Sequence, residues 1–363
     1  MKNGWKEKTV GEILQLEYGK PLDDSDRKPD GRFPVYGANG EKARSDKFYH
    51  EKPSIIVGRK GSAGEINLTE KKFWPLDVSY FVTFDEQQYD LRFLYYLLTT
   101  LDLPKLAKGV KPGINRNEVY SQRTKVPSLP EQQRIVGVLN GAFEAIATAK
   151  ANAEKNLLNA RALFASERQT LFARRDEGWS EKTLDQIAVN LDSKRVPITK
   201  SVRASGKYPY YGASGIVDYV ADYIFEGDML LISEDGANLL ARSTPIAFPA
   251  SGKYWVNNHA HILKFENMAT QQFVENYLES IKLDEYITGA AQPKLNQKAL
   301  NSIPIPIPTS IETQRKVVAS LTSLCTETER LASIYERKLA ALEELKKSLL
   351  HHAFTGQLRN YHE

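Results

Sequence analysis

The chain has 363 residues, a formal net charge of +4 and one cysteine, Cys325. That length suits two domains with cores of their own, the small charge confines any nucleic-acid surface to local patches, and a lone cysteine excludes an intramolecular disulfide and fits a reducing cytoplasm. Met1-Lys2-Asn3-Gly4-Trp5 lacks a signal-peptide core and no apolar run approaches the ~20 residues of a membrane span, so a cytoplasmic protein without membrane contact is expected.

In chain order the predicted elements come twice, which fixes the architecture before any single motif does. The first copy opens with Gly4-Trp5 and Glu7-Lys8-Thr9-Val10, followed by Gly31-Arg32-Phe33-Pro34-Val35-Tyr36-Gly37-Ala38-Asn39-Gly40. Asp23, Asp24 and Asp26 precede that motif and leave a metal-dependent nuclease open, although a surface turn explains them as well. The short strand Ser54-Ile55-Ile56-Val57 runs into the turn Arg59-Lys60-Gly61-Ser62-Ala63-Gly64. The turn lacks the Gly-Lys-Ser/Thr ending of a Walker A loop and more simply presents side chains from a sheet. Lys72-Phe73-Trp74, Pro112 and Asn115 follow, and then Glu131-Gln132-Gln133-Arg134.

A long helix comes next, with a capping box expected from Ser128 to Glu131 beside Pro130. Its seam runs Ile135, Leu139, Ala142, Ile146, Ala149 and Ala153, then slips by one to Leu157, Ala160, Phe164 and Leu171. Alanines on a seam let a partner backbone approach closely.

The second copy repeats the order with Gly178-Trp179, Glu181-Lys182-Thr183-Leu184 and Gly206-Lys207-Tyr208-Pro209-Tyr210-Tyr211-Gly212-Ala213-Ser214-Gly215. Asp228-Met229-Leu230-Leu231-Ile232 leads into Ser233-Glu234-Asp235-Gly236-Ala237-Asn238, and Lys253-Tyr254-Trp255, Pro293 and Asn296 answer their counterparts. His259 and His261 share one face of a strand without a third metal ligand at suitable spacing. Pro304-Ile305-Pro306-Ile307-Pro308 cannot be a central strand, since alternate residues lack a donor, and reads as an extended lead into the next helix. Glu312-Thr313-Gln314-Arg315 matches Glu131-Gln132-Gln133-Arg134, with a second capping box expected from Thr309 to Glu312. The second long helix alternates by four and three through Val317, Leu321, Leu324, Thr328, Leu331, Tyr335, Lys338, Leu342, Leu345, Leu349 and His352, a coiled-coil seam. Each helix of about 45 residues would be a rod of roughly 65 Å.

Candidate DNA-contacting residues gather near the glycine-rich turns. The first copy offers Tyr36, Lys42, Arg44, Arg59, Lys60, Lys108, Lys111, Asn115 and Arg116. The second offers Lys194, Arg195, Lys200, Arg203, Tyr211, Arg242, Gln292, Lys294, Asn296 and Gln297. Lys and Arg neutralise phosphates, while Arg, Asn and Gln reach base edges in bidentate fashion. The two tyrosines suit core packing equally well.

The repeated Tyr-Gly-Ala-(Asn/Ser)-Gly motif, the Glu-x-Gln-Arg helix starts and the closing Leu349-Leu350-His351-His352-Ala353-Phe354-Thr355-Gly356-Gln357-Leu358 resemble the specificity subunit of type I restriction-modification systems. The resemblance implies an α+β chain of two similar mixed target recognition domains, residues 1–129 and 177–308. Two spacer helices, 130–176 and 309–363, would pair as an antiparallel coiled coil about a pseudo-two-fold axis. It further implies a non-catalytic reader of a split target in double-stranded DNA. Two modification subunits would methylate adenine at N6 from S-adenosylmethionine, and two restriction subunits would use ATP and Mg2+, so no cofactor is expected on this chain. A protein-binding scaffold is the remaining alternative beside the nuclease.

Overall fold

The computed structural model describes residues 4–173, 178–289 and 291–358. The boundary expected between residues 176 and 177, and both expected chain ends, lie outside the described residues. The chain divides into two compact units, Met1–Ala153 with Arg337–Glu363, and Glu154–Glu336.

In the first unit a four-stranded antiparallel sheet runs in the order Leu14–Tyr18, Ser79–Phe84, Ser54–Gly58, Ile66–Thr69. Ser54–Gly58 is buried along its whole length, as expected of a central strand covered on both faces. Helix Leu91–Thr100 packs on the sheet. Its N-cap Asp90 accepts the Phe93 amide, and Phe93, Leu94, Leu97 and Leu98 bury one stripe at three- and four-residue spacing. A smaller sheet, Gly40–Ser45, Phe33–Gly37, Trp74–Pro75, carries the Tyr-Gly-Ala motif. A ribbon of Lys6–Thr9 and Arg123–Val126 closes the unit beside the long helix.

The second unit repeats every piece. Its larger sheet has the order Ala188–Asn190, Ala260–Phe265, Met229–Ser233, Ala247–Ala250, and its packed helix is Met268–Ser280, capped by Asn267. The smaller sheet is Gly215–Val220, Ser205–Gly212, Lys253–Val256, Phe225–Glu226. The proline-rich lead is extended and not a central strand, as expected: Pro304–Pro308 pairs with Trp179–Thr183 in a ribbon that is two-stranded among the described residues. A two-stranded ribbon tolerates it because one edge needs no donors.

The long helices span Leu129–Ala173 and Ile311–Phe354. Within the first unit, Ile135, Val136 and Leu139 share a core with Leu349, Leu350, Ala353 and Phe354, while Lys150 reaches Glu343 at 2.6 Å. Rising numbers on one helix meet falling numbers on the other, so the segments are antiparallel. In the second unit Phe164, Leu171 and Phe172 pack with Val317, Val318 and Leu321, and Arg161 reaches Glu336 at 2.8 Å, again antiparallel. Among the expected seam residues Ile135, Leu139, Ile146 and Leu321 are buried, and Leu157, Phe164, Leu324, Leu331, Leu342 and Leu349 are half-buried. Ala153 and Ala160 are buried too. Leu345 departs from the expectation: it is 47% exposed, because a strict seven-residue repeat drifts around a helix of 3.6 residues per turn.

At the second helix the cap expected at Thr309 sits one residue later: Ser310 Oγ accepts the Thr313 amide at 3.4 Å, while the Thr309 hydroxyl donates to the Gly178 carbonyl. Glu131 pairs with Arg134, and Glu312 with Lys316. A buried glutamine also braces each helix start. Gln132 donates to the carbonyls of Pro127 and Gln88 and accepts the Asp90 amide. Gln314 donates to the Pro308 carbonyl and accepts from the Thr270 hydroxyl. The structural partner of Gln314 is therefore Gln132, one place earlier than the motif alignment suggests.

Candidate functional site

Three strand ends and one hairpin form the same platform in each unit, and hydrogen bonds align the two platforms residue by residue. In the first unit the Gly61 amide donates to Pro112 and the Ile114 amide to Arg59, at 2.8 and 3.0 Å; in the second the Gly236 amide donates to Pro293 and the Leu295 amide to Glu234, at 3.0 and 2.8 Å. Arg59 thus corresponds to Glu234. The sheet registers add Tyr18 opposite Tyr80, and Asp192 in line with His261. Tyr80 and His261 make the same contact: the Tyr80 hydroxyl lies 3.4 Å from the Ile114 carbonyl and His261 Nε2 lies 2.7 Å from that of Leu295.

On this common frame the chemistry is inverted. In the first unit the guanidiniums of Arg59 and Arg116 lie 5.0 and 5.1 Å from the Tyr18 ring, which is 45% exposed and edge-on to Tyr80. Such stacking holds the cations forward without pairing them to carboxylates. Arg59 Nη1 also donates to the Asp77 carbonyl at 2.8 Å. The hairpin tip beside them carries Lys108 and Lys111 around a fully exposed Val110, closed by reciprocal 3.0 Å bonds between Lys108 and Gly113. Lys60 bridges to Gly113 and is exposed; Lys108 pairs with Glu118.

In the second unit Asp192, Glu234 and His261 are buried together. His261 Nδ1 lies 2.5 Å from Asp192, and Arg195 bonds Glu234 at 2.6 Å and the Ala260 carbonyl at 2.8 Å. Lys294 closes the group at 3.2 Å from Glu234. Burial alone would raise both carboxyls, yet the bonds from His261 to Asp192 and from Arg195 to Glu234 hold them below the ordinary carboxylate range. Asp192, Glu234 and His261 are also the described residues close enough to share a cation. Arg195 and Lys294 already neutralise them and both ring nitrogens of His261 are engaged, so the group reads as an ion network. His259 stands apart, exposed and paired with Asp235 at 2.8 Å. In the first unit, Asp24 and Asp26 pair with Arg27 and Lys47.

Several other expected contact residues face inward. Arg44 bonds Gly31, Arg32 and Glu41, tying down the loop before its partner strand Phe33–Gly37. Arg203 bonds Ile198 and Asp218 and covers Tyr210. Arg242 donates to the carbonyls of Leu278 and Ile281 at a helix end, and burial lowers its pKa. Asn115 and Asn296 cap short helices, which explains why both copies keep them. Tyr36 packs edge-on against Phe73, and Tyr211 packs edge-on against Tyr254 and stacks on Phe248. Lys42, Lys111, Lys194, Lys200, Gln292 and Gln297 are exposed. Tyr18, missing from the candidates, becomes visible only through its cross-strand partner.

The profile of the Type I restriction modification DNA specificity domain matches residues 2–159 and again 176–337. A Haemophilus influenzae protein assigned as a type I restriction enzyme specificity subunit is 38% identical over 148 residues, which is 40% of this chain and 38% of that protein. The Escherichia coli type I restriction enzyme EcoDI specificity subunit is 21% identical over 98% of this chain and 88% of its own length. Two solved structures share the fold. One is a chain of a type I restriction-modification system studied for its assembly and conformational transition, with TM-score 0.77, 16% identity and 99% of both chains covered. The other is the HsdS subunit of Thermoanaerobacter tengcongensis, with TM-score 0.65, 17% identity and 99% and 98% covered.

Proposed function

This chain belongs to the type I restriction-modification DNA specificity family, and from that premise we propose that it reads the DNA sequence for a restriction-modification assembly without carrying a catalytic step itself. The observation that carries the reading is the inverted chemistry on one backbone frame: Arg59 and Arg116 against Tyr18 in one copy, Asp192, Glu234 and His261 in the other. Because the frame carries outward arginines in one copy and a closed ion network in the other, the two copies present different side chains to DNA and recognise different base pairs. The target is then a split site with two unlike halves, rather than the palindrome of an identical dimer.

In the first unit we assign Arg59 and Arg116 to base edges, where paired arginine donors favour guanine O6 and N7, and Lys60 and Lys111 to phosphates. In the second unit we assign the exposed Gln297 to base edges and the exposed Lys194 to phosphates, while Lys294 stays paired with Glu234. The base-reading sites are narrower than residue type alone suggested, since Arg44, Arg195, Arg203 and Arg242 hold the fold. Methylation from S-adenosylmethionine and ATP- and Mg2+-dependent restriction are assigned to two modification and two restriction subunits. The long helices are assigned the interval between the half-sites. Among the described residues no helix is long and apolar enough to cross a membrane.

The test maps methylated adenines in DNA from cells making the chain with its modification subunits. Two unlike half-sites separated by unspecified base pairs are expected; one uninterrupted motif overturns the reading. Purified chain that cleaves plasmid in Mg2+ without partners would restore the nuclease alternative.

A further inference from the structure

Away from the platforms, each unit repeats one more surface feature on its smaller sheet. In the first unit Phe33 and Phe48 meet edge to face at 5.2 Å, with Arg32 5.5 Å from the Phe33 ring and Lys72 Nζ 4.6 Å from the Phe48 ring. In the second, Tyr208 and Tyr223 meet at 5.0 Å, with Lys207 Nζ 5.2 Å from Tyr208 and Lys253 Nζ 4.5 Å from Tyr223. The correspondence is fixed by the backbone. The Tyr49 amide donates to Phe73 and the Ile224 amide to Tyr254, which aligns Phe48 with Tyr223. The neighbouring tryptophans repeat as well, Trp74 donating to the Lys20 carbonyl and Trp255 to that of Val196. All four cations are exposed and the aromatic rings are partly so.

Platform positions have changed chemistry between the copies, yet this group has not. What it keeps is cation, ring, ring, cation; what it gives up is shape, since phenylalanine becomes tyrosine twice and Arg32 becomes Lys207. A protein partner fitted to a surface demands shape, whereas a phosphate needs only a point charge, for which arginine and lysine both serve. The lysine stems lie along the rings and hold the ammonium groups outward. Carboxylates stand nearby: Asp46 is 3.4 Å from Arg32, Glu51 3.3 Å from Lys72, and Glu226 4.0 Å from Lys253. These pairs are exposed, and such pairs hold too weakly to keep a phosphate away.

We propose that these two matched groups, one per copy, are further sequence-independent contacts to the sugar–phosphate backbone of DNA, beside the phosphate-binding lysines of the platforms. The proposal rests on the DNA-reading assignment above and adds where binding without sequence preference resides.

The experiment uses the full chain with its modification subunits, comparing wild type with the double variant Lys72→Gln, Lys253→Gln and with the double arginine variant at the same sites. Affinity for a duplex holding the mapped target and for a scrambled duplex is measured over a potassium chloride series. The glutamine variant is expected to lose roughly tenfold on both duplexes near 0.1 M salt, with its log–log salt slope flattened by about two. The ratio of target to scrambled affinity and the methylated motif should persist, and the arginine variant should recover both affinity and slope. Unchanged affinity overturns the proposal, and so does a loss confined to the target duplex, which would make these lysines base readers. Loss of co-purifying modification subunits from the glutamine variant also overturns it and identifies a protein-docking surface. Wild-type complex that fails to prefer the target would instead refute the DNA-reading assignment itself, before any variant is compared.

Discussion

Where the first unit sets Tyr18, Arg59 and Tyr80 at the ends of three strands, the second sets Asp192, Glu234 and His261 at the same positions. The first arrangement points its charge outward and rests it on an aromatic ring; the second turns its charge inward and closes it with Arg195 and Lys294. One frame can therefore carry a reader at almost no cost to the core, or bind its strand ends together with ions. A matched position need not have a matched job, and the two units should respond differently to the same kind of damage.

The largest effect is expected from His261→Ala, which leaves Asp192 buried without its main partner. The second unit should lose about 3–5 kcal/mol in denaturant unfolding, as broken buried pairs do, whereas Arg59→Ala at the mirrored platform should hardly move the first unit's transition. Equal losses in both units would erase the comparison. Next, Arg59→Ala should relax one half-site by ~1–3 kcal/mol in competition binding and leave the other half intact; relaxation of both halves would show that the copies do not read separately.

Acid and base should also divide the second unit against itself. Burial, with Glu279 nearby, pushes Glu275 up to about 7. A carboxyl whose folded pKa exceeds its unfolded value costs stability progressively as pH rises from about 4.5 to 7. Glu275→Gln should then gain on the order of 1–3 kcal/mol at pH 8 and nothing at pH 4, read from melts at the two pH values. Asp192 and Glu234 have the opposite sign. Their pKa values are depressed, so their contribution is full above about pH 4.5 and is lost as pH falls through the folded values.

Smaller still is Tyr254→Phe, which copies Phe73 of the first unit. The Tyr254 hydroxyl is buried with no hydrogen-bond partner among the described residues, so its removal should raise stability by about 1 kcal/mol; a loss would reveal a partner. Least of all, Glu336→Gln should cost the exposed Arg161 pair no more than about 1 kcal/mol, measurable only by a double-mutant cycle.

Much of the fold is legible in the sequence. The duplicated Gly-Trp and Tyr-Gly-Ala segments mark two copies, and the apolar spacing marks both long helices. The platform is legible only in part. Arg59, Lys60, Lys111 and Arg116 are flagged by residue type beside a glycine-rich turn, and the structure does bring their loops together. Arg195, Arg203 and Arg242 share that chemistry, but the carboxylates and helix-end carbonyls they satisfy are distant in sequence, so their inward role is invisible there. Tyr18 and Asp192 have no chemistry in common, and their equivalence emerges only from strand register. The slip from Gln133 to Gln132 has the same origin: a short motif aligns letters, while a hydrogen bond to a proline carbonyl aligns positions.

That glutamine also decides where the chain can be cut and rejoined. Gln132 and Gln314 are the first turn of a helix by backbone but part of the preceding globular body by side chain. A graft spliced at Pro127 or Pro308 would strand each amide against a foreign carbonyl, so a hybrid with new specificity should take its junction beyond Leu139 or Leu321, carrying the first turns of the donor's rod along with its head.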